Sequence, residues 1–339
     1  MRVRLYAGCQ KLVEKSGVGQ ALRHQAAMLT SAGVEVTRRD CPDAAFVHIN
    51  TVFPDAFAAA LLEKRRGRRV ICYGHSTMED FRDSFCFSNA LAPLFKRWIM
   101  RCYSVGDAII TPTEYARTLL LGYGIRKPIY VLSNGVDTDF FRFDAARRAA
   151  FRAKYGLRPG ERAVLSVGHY IARKGILEYM ELARALPQTR FFWFGCTNLQ
   201  LVPRAVRRAM ASAPANLTFP GYVPREALRD AYCGCDLFCF LSREETEGIV
   251  VLEALASEIP VLVRDIPVYS GWLHDGTDVY KGHDLCSFRR QAEAILSGRA
   301  QDLTAAGRRV AEQRSIPAMG RQLLQIYREI AGADVFGGR

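Results

Sequence analysis

Short apolar runs alternate with longer amphipathic stretches from one end of this chain to the other. In the first half the runs fall at residues 3–6, 46–49, 70–73, 108–110 and 129–132. They are too short for helices and rich in Val, Ile and aromatic residues, so they predict buried strands with helices between them. After the turn pair Asn134-Gly135 comes a basic helical piece over 145–155, ended by Gly156 and followed by Pro159. The alternation then restarts, with strands expected at 163–167, 190–194, 217–219, 237–240 and 260–263. Strand–helix alternation of this kind builds parallel sheets wrapped on both faces, so the fold class is α/β. Two such series joined near residues 134–160 predict two Rossmann-like domains. Ligands in such sheets bind at the carboxyl ends of the strands, which makes a cleft between two facing domains the expected site. The last segment, about 315–330, is helical with no strand after it and could pack back onto either domain.

Composition narrows the partners more than the fold. At 339 residues and 49% hydrophobic, the chain can bury two ordinary cores. A charged fraction of 24% and an aromatic fraction of 11% exclude a disordered chain. The 47 Lys and Arg against 34 acids leave a formal charge of +13, which favours a polyanion: a phosphate ligand, nucleic acid or anionic lipid. No nucleic-acid-binding motif accompanies the charge. Ten cysteines without a leader-like start predict unpaired thiols in a reducing compartment. Cys233, Cys235 and Cys239 lack a second ligand pair at zinc spacing, and Cys239 sits in an apolar run, so no metal is expected. No run reaches the roughly 20 apolar residues of a membrane span. Any membrane contact is therefore expected from the cytoplasmic side, without crossing.

The candidate chemistry is concentrated in Glu245-Thr-Glu-Gly-Ile-Val-Val-Leu-Glu253. Gly248, Ile249 and Val250 would present backbone N–H groups at a helix start, where the dipole favours an anion such as phosphate. One carboxylate lies ahead of that point and the other about one turn inside the helix. A nucleotide sugar suits the spacing, with its diphosphate on the N–H groups and hydroxyl pairs at each end for a carboxylate. A capped helix with surface acids is the plain alternative. Arg173-Lys174 follows the run at 163–167, where a planar fork and a compact point charge are placed to hold a diphosphate and to stabilise the charge that grows when it leaves. Positive charge at a helix start opposes the dipole, so stability alone does not explain the pair. His75 follows the run at 70–73, again at the ligand end, although a lone histidine is more often structural. Ser16-Gly-Val-Gly19 opens a helix after the first strand and reads as a loop facing phosphate or sugar, or as a tight turn. It lacks the third glycine of the dinucleotide fingerprint, which argues against an oxidoreductase. The basic-aromatic stretch 85–103 carries apolar residues at 91, 94, 95, 98, 99 and 102, a stripe that reads first as core-facing and second as a lipid interface. Arg65, Arg66, Arg68 and Arg69 add charge in the same half.

Taken in order, these motifs resemble glycosyltransferase family 4, retaining enzymes of the GT-B fold. The resemblance rests on Ser16–Gly19, His75, Ser-Asn-Gly-Val-Asp-Thr-Asp at 133–139, Val-Gly-His followed by Arg173-Lys174-Gly, Phe-Pro-Gly-Tyr-Val at 219–223, and Glu245 with Glu253. It implies an acceptor-binding domain over 1–155, a nucleotide-sugar domain over 156–317, and a final helix, about 318–339, returning to the first domain. It further implies Arg173 and Lys174 as the diphosphate clamp, Glu253 on the ribose, Glu245 on the transferred sugar and His75 near the reacting centre. Gly17, Val18, Gly19, Tyr222, Val223, Gly248, Ile249 and Val250 would complete the donor site. No metal or other cofactor is implied, because the two cations serve where other enzymes use an ion. The family often has Glu-Gly-Phe-Gly where this chain has Glu245-Thr-Glu-Gly248, which bears on the sugar contacts and leaves the phosphate site unchanged. The wording Glu-Glu-Thr-Glu-Gly-Ile-Val-Val-Leu-Glu, with Glu-Lys-Ser-Gly-Val-Gly, resembles bacterial enzymes that add a second hexose to glucosyl-diacylglycerol. A hexosyltransferase using UDP-glucose or UDP-galactose on a glycolipid at the inner, anionic membrane face is therefore expected, with no nucleic-acid partner. A polysaccharide or lipid-linked oligosaccharide acceptor, or a non-catalytic nucleotide-sugar binder, is the alternative.

Overall fold

The structure is a computed structural model and describes residues 1–14, 16–85, 87–198 and 200–332. Two parallel sheets organise the chain. In the first, β1 (Arg2–Tyr6), β2 (Glu35–Thr37), β3 (Phe46–Ile49), β4 (Arg69–Tyr73), β5 (Ala108–Thr111) and β6 (Ile129–Val131) lie in the order β2-β1-β3-β4-β5-β6. In the second, β7 (Ala163–Val167), β8 (Arg190–Phe194), β9 (Leu217–Gly221), β10 (Leu237–Phe240), β11 (Val261–Arg264) and β12 (Tyr280–Gly282) lie in the order β12-β11-β10-β7-β8-β9. Every neighbouring pair runs parallel, with registers such as Val3 opposite Phe46 and Leu237 opposite Val164. Helices cover both faces of such sheets, which is why β3 and β10 are buried at every position and read as continuous apolar runs.

The first unit comprises residues 1–81, 90–136 and 314–339; the second comprises 82–89 and 137–313. Within the first, the helix Ile316–Ala331 packs along the helix Gly17–Ser31, and a Cβ on Gly320 would lie 2.5 Å from the Met28 carbonyl oxygen. Leu323, Ile326 and Tyr327 share a core with Val3, Leu5 and Phe46. Residues 333–339 of the expected final helix, like Lys15 in the Glu-Lys-Ser motif and Cys86 in the stretch 85–103, lie outside the described residues.

The junction expected at 155–156 falls instead after Val136, and the helix Ala145–Lys154 belongs to the second unit. The reason is electrostatic as well as apolar. Arg148 donates to the carbonyls of Cys233, Gly234 and Cys235 at the end of the helix Arg225–Gly234, where the dipole is negative, and pairs with Asp236 at 2.6 Å. Phe151 packs so closely that a Cβ on Gly234 would meet its ring at 2.1 Å. The side chain of Asp144 caps the helix, accepting from the amides of Ala146 and Arg147.

The helix Ser88–Val105 turns positions 95, 98, 99 and 102 of the expected stripe inward but leaves 91 and 94 outside. Ala92, Ile99, Cys102 and Tyr103 are buried, with Phe95 and Trp98 half-buried, while Leu91 and Leu94 are 45% and 64% exposed. Trp98 is anchored by its indole N–H on the Val52 carbonyl at 2.6 Å. The arginine cluster at 65–69 is also less free than its sequence suggests. Arg66 and Arg68 pair with Asp40 and with buried Glu63, which Arg4 reaches as well.

Candidate active site

Strand order reverses in the second sheet between β7 and β10: β8 and β9 extend to one side, β11 and β12 to the other. Loops leaving the carboxyl ends of these two neighbours diverge there and leave room for a ligand. The loop after β7 carries Arg173 and Lys174 in the 3-10 turn Ala172–Lys174; the loop after β10 carries Glu244, Glu245 and Glu247. Gly175 ends the turn at φ +78°, and a Cβ there would lie 2.3 Å from the Leu241 carbonyl oxygen. Glycine is therefore what lets the cation loop lie directly on the end of β10.

The two loops are then laced together. The amide of Arg243 donates to the Arg173 carbonyl at 2.8 Å, and the Arg173 Nη1 donates to the Glu244 carbonyl at 2.6 Å. Ser242 Oγ lies 3.3 Å from the Arg173 carbonyl and 3.1 Å from that of Glu244. Arg173 also reaches Ser84 Oγ at 3.2 Å. Lys174 Nζ meets Glu245 Oε1 at 2.5 Å and lies 5.6 Å from the centre of the Phe240 ring. Burial pushes the Glu245 carboxyl up. The charges of Lys174 and Arg173, with hydrogen bonds from Lys174 and Ser242, outweigh it and hold the group below its ordinary 4.5.

Gly248, in the left-handed region at φ +91°, turns the chain into the helix Ile249–Ala256. The first amides of that helix belong to Ile249 and Val250. Tyr269 is fully buried against Gly248, and its hydroxyl has no hydrogen-bond partner among the described residues. Burial, reinforced by the Glu245 charge, pushes that phenol well above its usual range, so it stays a donor. Glu253, one turn into the helix, is buried and faces the Tyr232 hydroxyl at 3.0 Å, which also lies 3.1 Å from the Val250 carbonyl. Glu247 is buried too. Arg173, Lys174 and Glu245 are thus tied into one set of loops, and Gly248 leads that segment into the helix that carries Glu253. Tyr222 and Val223 follow the carboxyl end of β9 on the same edge of the sheet, Tyr222 exposed and Val223 half-buried.

A cavity of about 280 Å³ elsewhere in this unit is lined by Arg148, Arg162, Asp236 and Pro260. These residues precede or flank the amino ends of β7, β10 and β11, the edge opposite the paired loops.

In the first unit His75 follows β4, buried, with its Nε2 3.4 Å from Asn50 Oδ1 and its ring stacked at 5.5 Å on Tyr73. Burial pushes its pKa down to about 4. Gly17, Val18 and Gly19 form the first turn of the helix Gly17–Ser31. A Cβ on Gly19 would lie 2.4 Å from the Val13 carbonyl oxygen, so this glycine has a packing reason within the chain. Gly17 has nothing within 4 Å of its Cβ position.

Residues 147–306 match the model for glycosyl transferases group 1, and residues 38–140 that for glycosyltransferase family 4. A processive diacylglycerol alpha-glucosyltransferase of Acholeplasma laidlawii is 37% identical over 97% of this chain and 98% of its own length. The chain belongs to glycosyltransferase family 4. It is a hexosyltransferase. A more distant relative is the alpha-galactosylglucosyldiacylglycerol synthase of Streptococcus pneumoniae, 26% identical over 88% of this chain and 80% of that one. Among solved structures, sucrose-phosphate synthase from Thermosynechococcus elongatus matches with a TM-score of 0.81 at 16% identity, covering 98% of this chain and 100% of that one. Anabaena HepE in complex with UDP-glucose matches with a TM-score of 0.76 at 14% identity, covering 97% and 99%. These likenesses show the fold, which is GT-B.

Two parts of this glycosyltransferase's site are silent in its sequence. Tyr232 and Tyr269 come from elements on either side of the acidic motif and reach it only in three dimensions. Nothing in Asp-Ala-Tyr232-Cys or Pro-Val-Tyr269-Ser marks them.

The ion pair makes a pH prediction. Because the folded pKa of Glu245 lies below the unfolded value, its stabilisation is present above about pH 4.5 and is lost as pH falls through the folded value. Urea unfolding of wild type and Glu245→Gln should differ at pH 7, wild type being the more stable, and the gap should close toward pH 3. A gap independent of pH would contradict the pairing.

Proposed function

We propose that this hexosyltransferase moves a hexose from a UDP-sugar to a glycolipid, monoglycosyl-diacylglycerol, with retention of configuration, at the surface of an anionic membrane. The observation that carries the reading is the Lys174–Glu245 pair beside the start of the helix Ile249–Ala256, in a chain 37% identical to a diacylglycerol glucosyltransferase. A diphosphate against the amides of Ile249 and Val250 would meet the helix dipole and the Lys174 ammonium together. Arg173 adds positive charge while stitching the two loops. As the bond from the anomeric carbon to the β-phosphate oxygen breaks, charge accumulates on the diphosphate, where these groups stabilise it. The acceptor oxygen attacks the same face, and its proton passes to the departing phosphate, so no separate base is needed. Glu253, held by Tyr232, is assigned to the ribose and Glu245 to the transferred sugar. His75, on the family resemblance, is assigned to the sugar as well. UDP-glucose is the first donor to test, since HepE binds it on the same fold.

The membrane part of the proposal is supported by the outward face of the helix Ser88–Val105. Leu91 and Leu94 are exposed, followed along the same side by exposed Arg97 and Arg101, and the exposed Phe85 and Phe87 precede the helix. Apolar residues with flanking cations suit the headgroup boundary. No described helix is long and apolar enough to cross a membrane.

Incubation with UDP-glucose or UDP-galactose and monoglucosyl-diacylglycerol should yield an α-linked diglycosyl lipid. Lys174→Gln, which keeps a hydrogen bond to Glu245 and removes the charge, should lower kcat by about 10²–10³-fold. Transfer only to a polysaccharide or oligosaccharide acceptor would overturn the lipid assignment, and undiminished turnover in Lys174→Gln would overturn the mechanism. Sedimentation should show a preference for anionic over neutral vesicles that weakens with salt, and Leu94→Glu should reduce binding about tenfold or more. Equal binding to both vesicle types at all salt concentrations would remove the membrane-surface claim.

A further inference from the structure

We propose that Tyr327, on the last described helix, is a positioning residue for His75, acting through buried His48, Gln25 and Asn50 to fix which ring nitrogen of His75 carries its proton. The inference rests on the assignment of His75 to the sugar.

The chain of contacts is continuous. Tyr327 OH lies 2.6 Å from His48 Nε2, and His48 Nδ1 lies 3.1 Å from Gln25 Oε1. Gln25 and Asn50 exchange two amide hydrogen bonds, each 3.1 Å, and Asn50 Oδ1 lies 3.4 Å from His75 Nε2. All five side chains are buried within the first unit. Three ring contacts brace the chain: Phe46 stacks on Tyr327 at 4.3 Å, and the Tyr73 ring lies 5.0 Å from His48 and 5.5 Å from His75.

The direction of each bond follows from what the atoms can do. An amide oxygen only accepts, so His48 Nδ1 and His75 Nε2 must both carry hydrogen. Burial pushes the two imidazoles down to about 3 and about 4, so each is neutral near pH 7 and has one hydrogen to place. His48 Nε2 is then a lone pair, and Tyr327 donates to it. By the same reasoning His75 Nδ1 is a lone pair, suited to accept a hydrogen bond from a sugar hydroxyl. An apolar core would be simpler to build than five buried polar side chains, which must satisfy one another to be tolerated. The members that end the relay, Asn50 and His75, follow the carboxyl ends of β3 and β4, the edge where ligands bind in such sheets.

The test uses full-length protein labelled with ¹⁵N-histidine. His75 resonances are assigned by their loss in His75→Asn, and the side-chain tautomer is read at pH 7. Wild type should show hydrogen on Nε2. Tyr327→Phe keeps the ring stacked on Phe46 and removes only the hydroxyl; Gln25→Leu cuts the relay in the middle. Both should move His75 toward a tautomer mixture and lower kcat about tenfold, the worth of one well-placed hydrogen bond. An unchanged His75 tautomer in both variants would overturn the relay even if activity fell, since a packing defect alone leaves the tautomer in place. Wild-type turnover in His75→Asn would instead overturn the assignment of His75, and the inference with it, whatever the spectra show.

Discussion

Lys174 and Glu245 meet because two loops leave neighbouring strands at the point where the sheet changes direction, and then fasten to each other by backbone and side-chain hydrogen bonds. The remaining features of the site depend on this lacing. Gly175 admits the close approach, Arg173 ties the loops through the Glu244 carbonyl, and Glu245 remains ionised under burial because two cations face it. Breaking such a pair by removing one member strands a buried charge, typically at a cost of about 3–5 kcal/mol. An apolar pair in its place would hold the loops at least as well, so stability does not account for the ions. The proposed diphosphate, which would carry negative charge into the site, does.

The start of the helix Ile249–Ala256 supplies what the ion pair cannot. A point charge attracts an anion without orienting it, whereas amides at a helix start have fixed directions. Gly248 sets their angle, and the buried Tyr269 hydroxyl lies against it. Glu253 follows a turn later, held by Tyr232 from the helix Arg225–Gly234. Electrostatic attraction from the loop after β7, and direction and a carboxylate from the segment after β10, are what the proposed sugar nucleotide would need.

Much of this was legible in the order of residues, for identifiable reasons. Ten of the strands are visible as short apolar runs, most clearly where both faces are buried, as in β3 and β10. β2 and β12 are three residues each, Glu-Val-Thr and Tyr-Lys-Gly, with a charged residue in each, so their composition gives no sign of them. The acidic motif and Arg173-Lys174 are visible because their chemistry is local. Positions 95, 98, 99 and 102 of the helix Ser88–Val105 face inward as their spacing suggests, whereas 91 and 94 do not, because residues three and four apart fit either of two adjacent stripes and only packing sets the edge of the buried one. The junction between the units was misplaced because the Arg148–Asp236 pair that settles it spans 88 residues. His48 meets Tyr327 across 279 residues, beyond the reach of any spacing rule.

The central claim is that the Lys174 charge, held ready by Glu245, belongs to the donor diphosphate. Calorimetric titration of UDP into wild type and Lys174→Gln, both verified as folded, tests it most directly. A rise in Kd of about tenfold or more in the variant is predicted, as expected for losing one charge-assisted contact to phosphate. Equal affinity for UDP in the two proteins would contradict it.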